Sequence, residues 1–197
     1  MSEYFWEEEI FINNIEVLES QLRNMFAGVV WTHKIQEKQA DIYLNRLKIL
    51  EFFRIGSSAI TASGIFAVMF IDKFSLKIAT AIISLLSLFI NSYYKTYDLK
   101  GLQKQHKKSA LALLEIREEF ITVLCDIKLN KYTEDDLIKK RDDLLKRQMN
   151  IYKGALDAST DAYNKTQKAL KIQKDNTYSD EEIDSFLPIV ARKDLTI

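Results

Sequence analysis

The sequence predicts an all-α chain in which a two-helix transmembrane hairpin continues into a helical bundle. Three observations lead there. One proline and five glycines in 197 residues leave few places to break a helix. Two uncharged apolar stretches, Ile55 to Ile71 and Ile78 to Tyr94, lie back to back with only Asp72-Lys73-Phe74-Ser75-Leu76-Lys77 between them. Apolar residues on both sides of this pair recur at alternating intervals of four and three, the seam of a helix that packs against other helices.

Residues 1–54 read as amphipathic helices leading into the first span. Phe11, Ile15, Leu18, Leu22, Met25 and Val29 form the seam. The segment MSEYFWEEE carries acidic residues where a secretory signal has basic ones, so the membrane signal is expected in residues 55–94. Each apolar stretch is about 17 residues, roughly 25 Å at the α-helical rise, the lower limit for a bilayer crossing. The second stretch holds eight Ile, Leu and Phe residues, whose insertion is favourable by roughly 2 to 5 kcal/mol together. The first, richer in Ser, Ala and Thr, inserts less readily alone, and a short connection lets the two enter as a pair.

Basic residues set the expected orientation. Lys34, Lys38, Arg46, Lys48 and Arg54 precede the first span, and Lys95, Lys100, Lys104, Lys107 and Lys108 follow the second. The connection has only Lys73 and Lys77, beside Asp72. Positive charge concentrates on the cytoplasmic side of membrane proteins, so both termini are expected in the cytoplasm. Tyr93, Tyr94 and Tyr97 then fall at the inner interface, and Phe70 and Phe74 at the outer one.

Each span has a small or polar face. Thr80, Ser84, Ser87 and Asn91 recur at intervals of four, three and four, and Ser57, Thr61 and Gly64 at four and three. Two readings stand. Such residues are enriched where membrane helices touch. Alternatively, one stripe lines a water-filled path once several hairpins assemble, because two helices alone cannot enclose a pore. No ionisable residue lies inside either span, so a lining built this way is neutral and poorly selective. A proton-coupled transporter, which needs an ionisable group at depth, is disfavoured.

Residues 95–197 read as a C-terminal helical region. Leu113, Ile116, Phe120, Val123 and Ile127 repeat the seam. Thr133 with Glu134-Asp135-Asp136 reads as the cap of a helix reaching about Tyr152. A further helix is expected over roughly Asp157 to Lys174. Ser179 through Glu182 reads as the cap of a short helix ended by Pro188, and Arg192 to Ile197 as a loose tail.

Composition excludes several function classes. Lys+Arg and Asp+Glu both number 28, which removes the basic footprint of a nucleic-acid binder. Cys125 is the only cysteine, so no internal disulfide forms. His33 and His106 lack a partner at metal-ligand spacing, and they read as surface or core packing. No phosphate-cradling glycine loop, serine elbow or Cys/His pairing is present, so no enzyme, catalytic residue, metal or cofactor is expected.

In its order of segments the chain resembles the SLATT family, two-transmembrane effector domains associated with nucleotide-signalling and nucleotide-sensing proteins of bacterial conflict systems. The resemblance is carried by HKIQEKQADIY (His33 to Tyr43), SGIFAVMF, KIATAIISLLSLFINSYYKTYD (Lys77 to Asp98) and QKQHKKSALALLEIRE (Gln103 to Glu118). RDDLL (Arg141 to Leu145), IYKGALDASTDAY (Ile151 to Tyr163) and EEIDSFLP (Glu181 to Pro188) extend it over most of the chain. The family often has Tyr-x-x-Ala-Pro-x-Thr. Here Tyr152 and Ala155 are followed by Leu156, with Ala158 in the Thr position, leaving open whether the chain turns there. The resemblance implies a homo-oligomeric, pore-forming effector that disrupts the bacterial inner membrane in anti-phage abortive infection. It also implies a trigger from a nearby nucleotide second-messenger synthase, nucleotide sensor or reverse transcriptase. The alternative is a membrane-anchored helical adaptor that recruits a cytoplasmic partner without forming a pore.

Overall fold

A computed structural model describes the backbone of residues 2–175, with 179, 182 and 183, and side chains from residue 14 onward. It is all-α, with no strand among the described residues. Helix α1 runs Ser2–Phe70, α2 Phe74–Thr96, α3 Leu99–Lys128, α4 Glu134–Gly154 and α5 Thr160–Gln167, the last passing into a π-helical turn at Lys168–Ile172.

The several N-terminal helices expected from the sequence are one helix of 69 residues, about 100 Å long at 1.5 Å per residue. The reason is local. No proline interrupts it, and Gly28, Gly56 and Gly64 each cost a helix only about 1 kcal/mol against alanine. The hairpin connection is likewise tighter than its polar sequence suggests. Only Ile71, Asp72 and Lys73 lie outside helix, and Leu76 and Lys77 belong to α2, with Lys77 paired to Asp72.

The other junctions have clear chemical causes. Asp98 caps α3 by accepting from the Gly101 amide at 2.8 Å. At the far end of α3, Asn130 takes a left-handed φ of 53°. Its amide bonds Ile127 O, and the Lys131 amide bonds Asp126 O at 3.1 Å, closing the six-to-one loop of a Schellman ending. Thr133 caps α4 as its sequence suggests. The chain does turn after Tyr152: residues 155–159 are non-helical, and α5 starts at Thr160 with Ser159 as its cap, later than the expected Asp157. Ser179 and Glu182 form a reciprocal capping box. The helix expected up to Pro188, the tail and the Phe11 side chain lie outside the described residues.

The two seams meet within one chain. Leu22, Val29, Leu113, Ile116, Phe120, Val123, Leu137 and Leu144 are buried together, with Leu18 and Ile127 at the edge of the cluster. The Phe26 and Phe120 rings lie 6.5 Å apart. Arg147 on α4 forks onto both Glu119 oxygens of α3 at 2.6 and 2.7 Å, and this contact holds the Glu119 carboxyl below its ordinary range. Phe120 is fully buried, so Phe120→Ala is expected to destabilise the bundle by about 3 to 5 kcal/mol, read as a drop in its unfolding midpoint.

Candidate functional site

The candidate site is the hairpin of α1 and α2, whose outer surface is apolar and fully presented. Phe66, Leu88 and Phe89 are 68%, 62% and 65% exposed, and Phe52, Ile60, Ile65, Met69, Ile82 and Leu85 belong to the same belt. A core helix of a water-soluble protein hides such side chains, so an exposed apolar belt of this size calls for another solvent. Both helices are long and apolar enough to cross a membrane.

The inner surface holds Gly64, Thr80 and their neighbours Thr61 and Ser84, while Ser58, Ser63, Asn91 and Ser92 are exposed. A Cβ placed on Gly64 would stand 2.8 Å from Thr80 Oγ1 and 3.4 Å from its Cβ, so these two positions mark close approach of the helices. Near the other end Tyr94 donates its hydroxyl to Glu51 at 3.2 Å, and the Arg54 guanidinium sits 4.4 Å over the Tyr94 ring. That antiparallel register puts Thr61 level with Ser84, and Ser57 level with the turn holding Ser87 and Asn91. Ser57, Thr61, Gly64, Thr80 and Ser84 are half-buried and Ser87 is buried, while Asn91 lies exposed. Their own backbone satisfies three of these groups. Ser57 donates to Arg54 O, Ser84 to Thr80 O, and Asn91 Nδ2 to Ser87 O at 2.8 Å. The Thr61 hydroxyl is sealed between the helices without a partner.

Between the hairpin and the apolar core lies a polar layer that the sequence reading did not anticipate. His106 is 1% exposed and stacks on Tyr43, with ring centroids 5.5 Å apart. Its Nδ1 is 2.6 Å from Gln36 Oε1, and the Gln36 amide nitrogen donates to Leu156 O at 3.1 Å. With the amide oriented by Leu156, Gln36 offers its oxygen to His106. The hydrogen therefore lies on Nδ1, burial lowers the ring's pKa and so favours its neutral form, and Nε2 is a buried nitrogen without a partner. Gln39 Oε1 accepts from both the amide and the hydroxyl of Ser159, at 2.9 and 2.7 Å. Lys34 bonds Glu37 at 3.0 Å and Asp175 at 3.1 Å. Burial pulls Lys34 down, but these two carboxylates outweigh it and raise its pKa. For Glu37 burial pushes up and Lys34 prevails, lowering it. Burial lowers both histidines, with Glu37 partly opposing the effect on His33.

His33, Gln36 and His106 occupy seam positions. Beyond Val29 the four-three rhythm runs on through His33, Gln36 and Ala40, and backward from Leu113 through Ser109, His106 and Leu102. That continuation was the available signal. Among the described residues no cluster of His, Cys, Asp or Glu is arranged to hold a metal ion.

A membrane hairpin carried on a long helical stem defines the class: a two-transmembrane helical protein. The family model for the SMODS and SLOG-associating 2TM effector domain, family 4, matches residues 18–182. The chain belongs to this SLATT family and is a membrane effector domain of conflict systems by class. No curated protein and no solved structure matches it.

The polar layer makes a pH-dependent stability. Both histidines have folded pKa values below the ordinary 6.5, so protonation favours the unfolded chain. Their contribution is present in full above pH 6.5 and is lost as the pH falls through the folded values. Thermal unfolding of the purified protein should give a falling Tm below that pH, and His106→Gln should flatten the fall.

Proposed function

We propose that this protein is an effector that oligomerises into a poorly selective pore and breaches the bacterial inner membrane when a partner in an anti-phage system triggers it. The observation that carries this reading is the two-sided hairpin: an apolar face open to lipid and a neutral stripe partly closed between its own two helices, with Asn91 exposed at its end. In the silent state the stripes of Ser57, Thr61 and Gly64 and of Thr80, Ser84 and Ser87 satisfy each other's packing. On triggering, the helices part, and neighbouring copies turn these faces toward a shared aqueous path. With no ionisable side chain inside the spans, such a path leaks ions without selecting them. Both termini lie in the cytoplasm in this proposal, as the basic residues flanking the spans favour. The trigger is a nucleotide second-messenger synthase, nucleotide sensor or reverse transcriptase acting nearby.

The Gly64 to Thr80 contact equally suits the second reading, a membrane-anchored adaptor whose stripes serve only as helix contacts. One experiment separates the two. The expected Cβ separation at Gly64 and Thr80, 3.4 Å, is close to the roughly 3.5 to 4.5 Å of a disulfide. Gly64→Cys/Thr80→Cys in a Cys125→Ala background, reconstituted in dye-loaded liposomes at a protein density high enough to drive assembly without the trigger, should release dye when reduced and fall to the protein-free level when oxidised. Equal release in both states rejects the stripes as the conducting surface. Intact liposomes in both states favour the adaptor.

A further inference from the structure

Between the hairpin and the bundle lies a layer of cations without carboxylate partners among the described residues. Two contacts bound it. Tyr94 bonds Glu51 on the side of the spans, and His106 stacks on Tyr43 on the side of the bundle. The stretch of α1 between them, residues 43–51, is about 12 Å long at the α-helical rise. It carries Arg46 and Lys48, and the facing stretch, residues 94–106, carries Lys95, Lys100 and Lys104. All five residues are exposed, and none has an ion pair or hydrogen bond among the described residues. The two carboxylates of the layer serve elsewhere: Glu51 accepts from Tyr94, and Asp98 accepts from the Gly101 amide as the cap of α3. Even with Asp41, just beyond the layer, counted against the cations, a positive excess remains. Farther down the bundle, Arg23, Lys34, Lys107, Lys128 and Arg147 each pair with a carboxylate.

We infer that this collar holds the anionic headgroups of the membrane leaflet on the bundle's side; the inference rests on the lipid-facing hairpin and is independent of the pore. Depth argues for it. The apolar belt runs down into the layer without a gap: Phe52 and Phe53 are 74% and 56% exposed, and Ile49, Tyr93 and Tyr97 are exposed beside the cations. The Tyr93 and Tyr97 rings lie with centroids 4.4 Å apart. Exposed tyrosines and aliphatic side chains mixed with cations are the composition of a membrane interface. A headgroup region is roughly 5 to 8 Å thick on each side of the hydrocarbon. Lysine and arginine stems run along apolar surface and place their charge in that region, so a layer of this depth lies within their reach.

The arrangement of the charges names the partner. Lys100 and Lys104 are one turn apart on a single face of α3, and Lys95 lies in the last turn of α2. Arg46 and Lys48, two residues apart, point to opposite sides of α1. The charges thus encircle the base of the hairpin and do not converge on one pocket. A soluble anion meets one or two of them at a time, whereas a surface of anionic phosphodiester headgroups meets all five together. Each lysine or arginine near such a surface strengthens the attachment about fivefold. A zwitterionic headgroup, whose phosphate is offset by its own ammonium, offers no net charge to match.

The test titrates the full chain, held in a neutral detergent, with anionic phosphatidylglycerol or with zwitterionic phosphatidylcholine and counts bound lipids by native mass spectrometry. Wild type should bind phosphatidylglycerol more tightly by roughly tenfold or more. Lys48→Gln/Lys100→Gln/Lys104→Gln should lose about fivefold per lysine toward phosphatidylglycerol and nothing toward phosphatidylcholine. Lys146→Gln/Lys153→Gln/Lys168→Gln, which replaces three exposed lysines of the bundle, should bind as wild type does. Equal affinity for the two lipids overturns the inference, and so does a collar variant that keeps the wild-type preference. Displacement of the lipid by inorganic phosphate beyond that caused by sodium chloride of equal ionic strength also overturns it, because the ligand is then a soluble anion. Retention of neither lipid overturns the membrane reading itself, which tells the two failures apart.

Discussion

Every feature of this protein follows from the solvent that surrounds residues 55–94. Phenylalanine, isoleucine and leucine side chains more than half exposed along two adjacent helices would cost several kcal/mol in water, at roughly 25 cal/mol for each Å² of apolar surface left wet. The bundle does not cover them: its buried apolar residues pack against one another in the seam between α1, α3 and α4. Lipid removes the conflict. It also explains why Ser57, Ser63, Ser84 and Asn91 bond to carbonyls of their own helices, since a polar group turned toward hydrocarbon without a partner is costly.

The unbroken α1 joins the parts of the molecule. One helix passes from the apolar core through the polar layer into the first apolar span without a break. Helix α2 has no such link. It is separated from α3 by the break at Tyr97 and Asp98 and is held to α1 by the Gly64–Thr80 approach and by Tyr94 against Glu51 and Arg54. The polar layer sits at this junction, where Gln36 ties α3 to the α4–α5 loop through His106 and Leu156, and Gln39 ties the loop again through Ser159. Buried amides with geometrically demanding partners specify one arrangement of helices more tightly than interchangeable leucines do. They also make that arrangement sensitive to anything that alters the partners.

Most of the architecture was legible in the sequence because it is written in periodicity. The seams of Leu18 to Val29 and of Leu113 to Ile127 report the core directly, and the cap at Thr133 reports the start of α4. What was misread depends on contacts between distant residues. Polar residues at seam positions look like a solvated face until His106 and Gln36 are brought together across α1 and α3. The late start of α5 is set by Gln39 and Gln36 holding the loop, 120 residues away in sequence. The short turn at Ile71 to Lys73 was obscured because charged Asp72 and Lys77 suggest a loop, whereas they pair across the first turn of α2. In the hairpin the stripes themselves were visible, and their juxtaposition through Gly64 and Thr80 required the structure.

The most direct measurement concerns the belt. With Cys125 replaced by alanine, Leu85→Cys on the outer face of α2 should resist a membrane-impermeant maleimide in native membranes and react once detergent is added, while Asp72→Cys in the turn should be labelled in intact cells. Labelling of Leu85→Cys by the water-soluble reagent before detergent would mean that water, not lipid, bathes the hairpin, and would contradict the reading of this protein as a membrane effector.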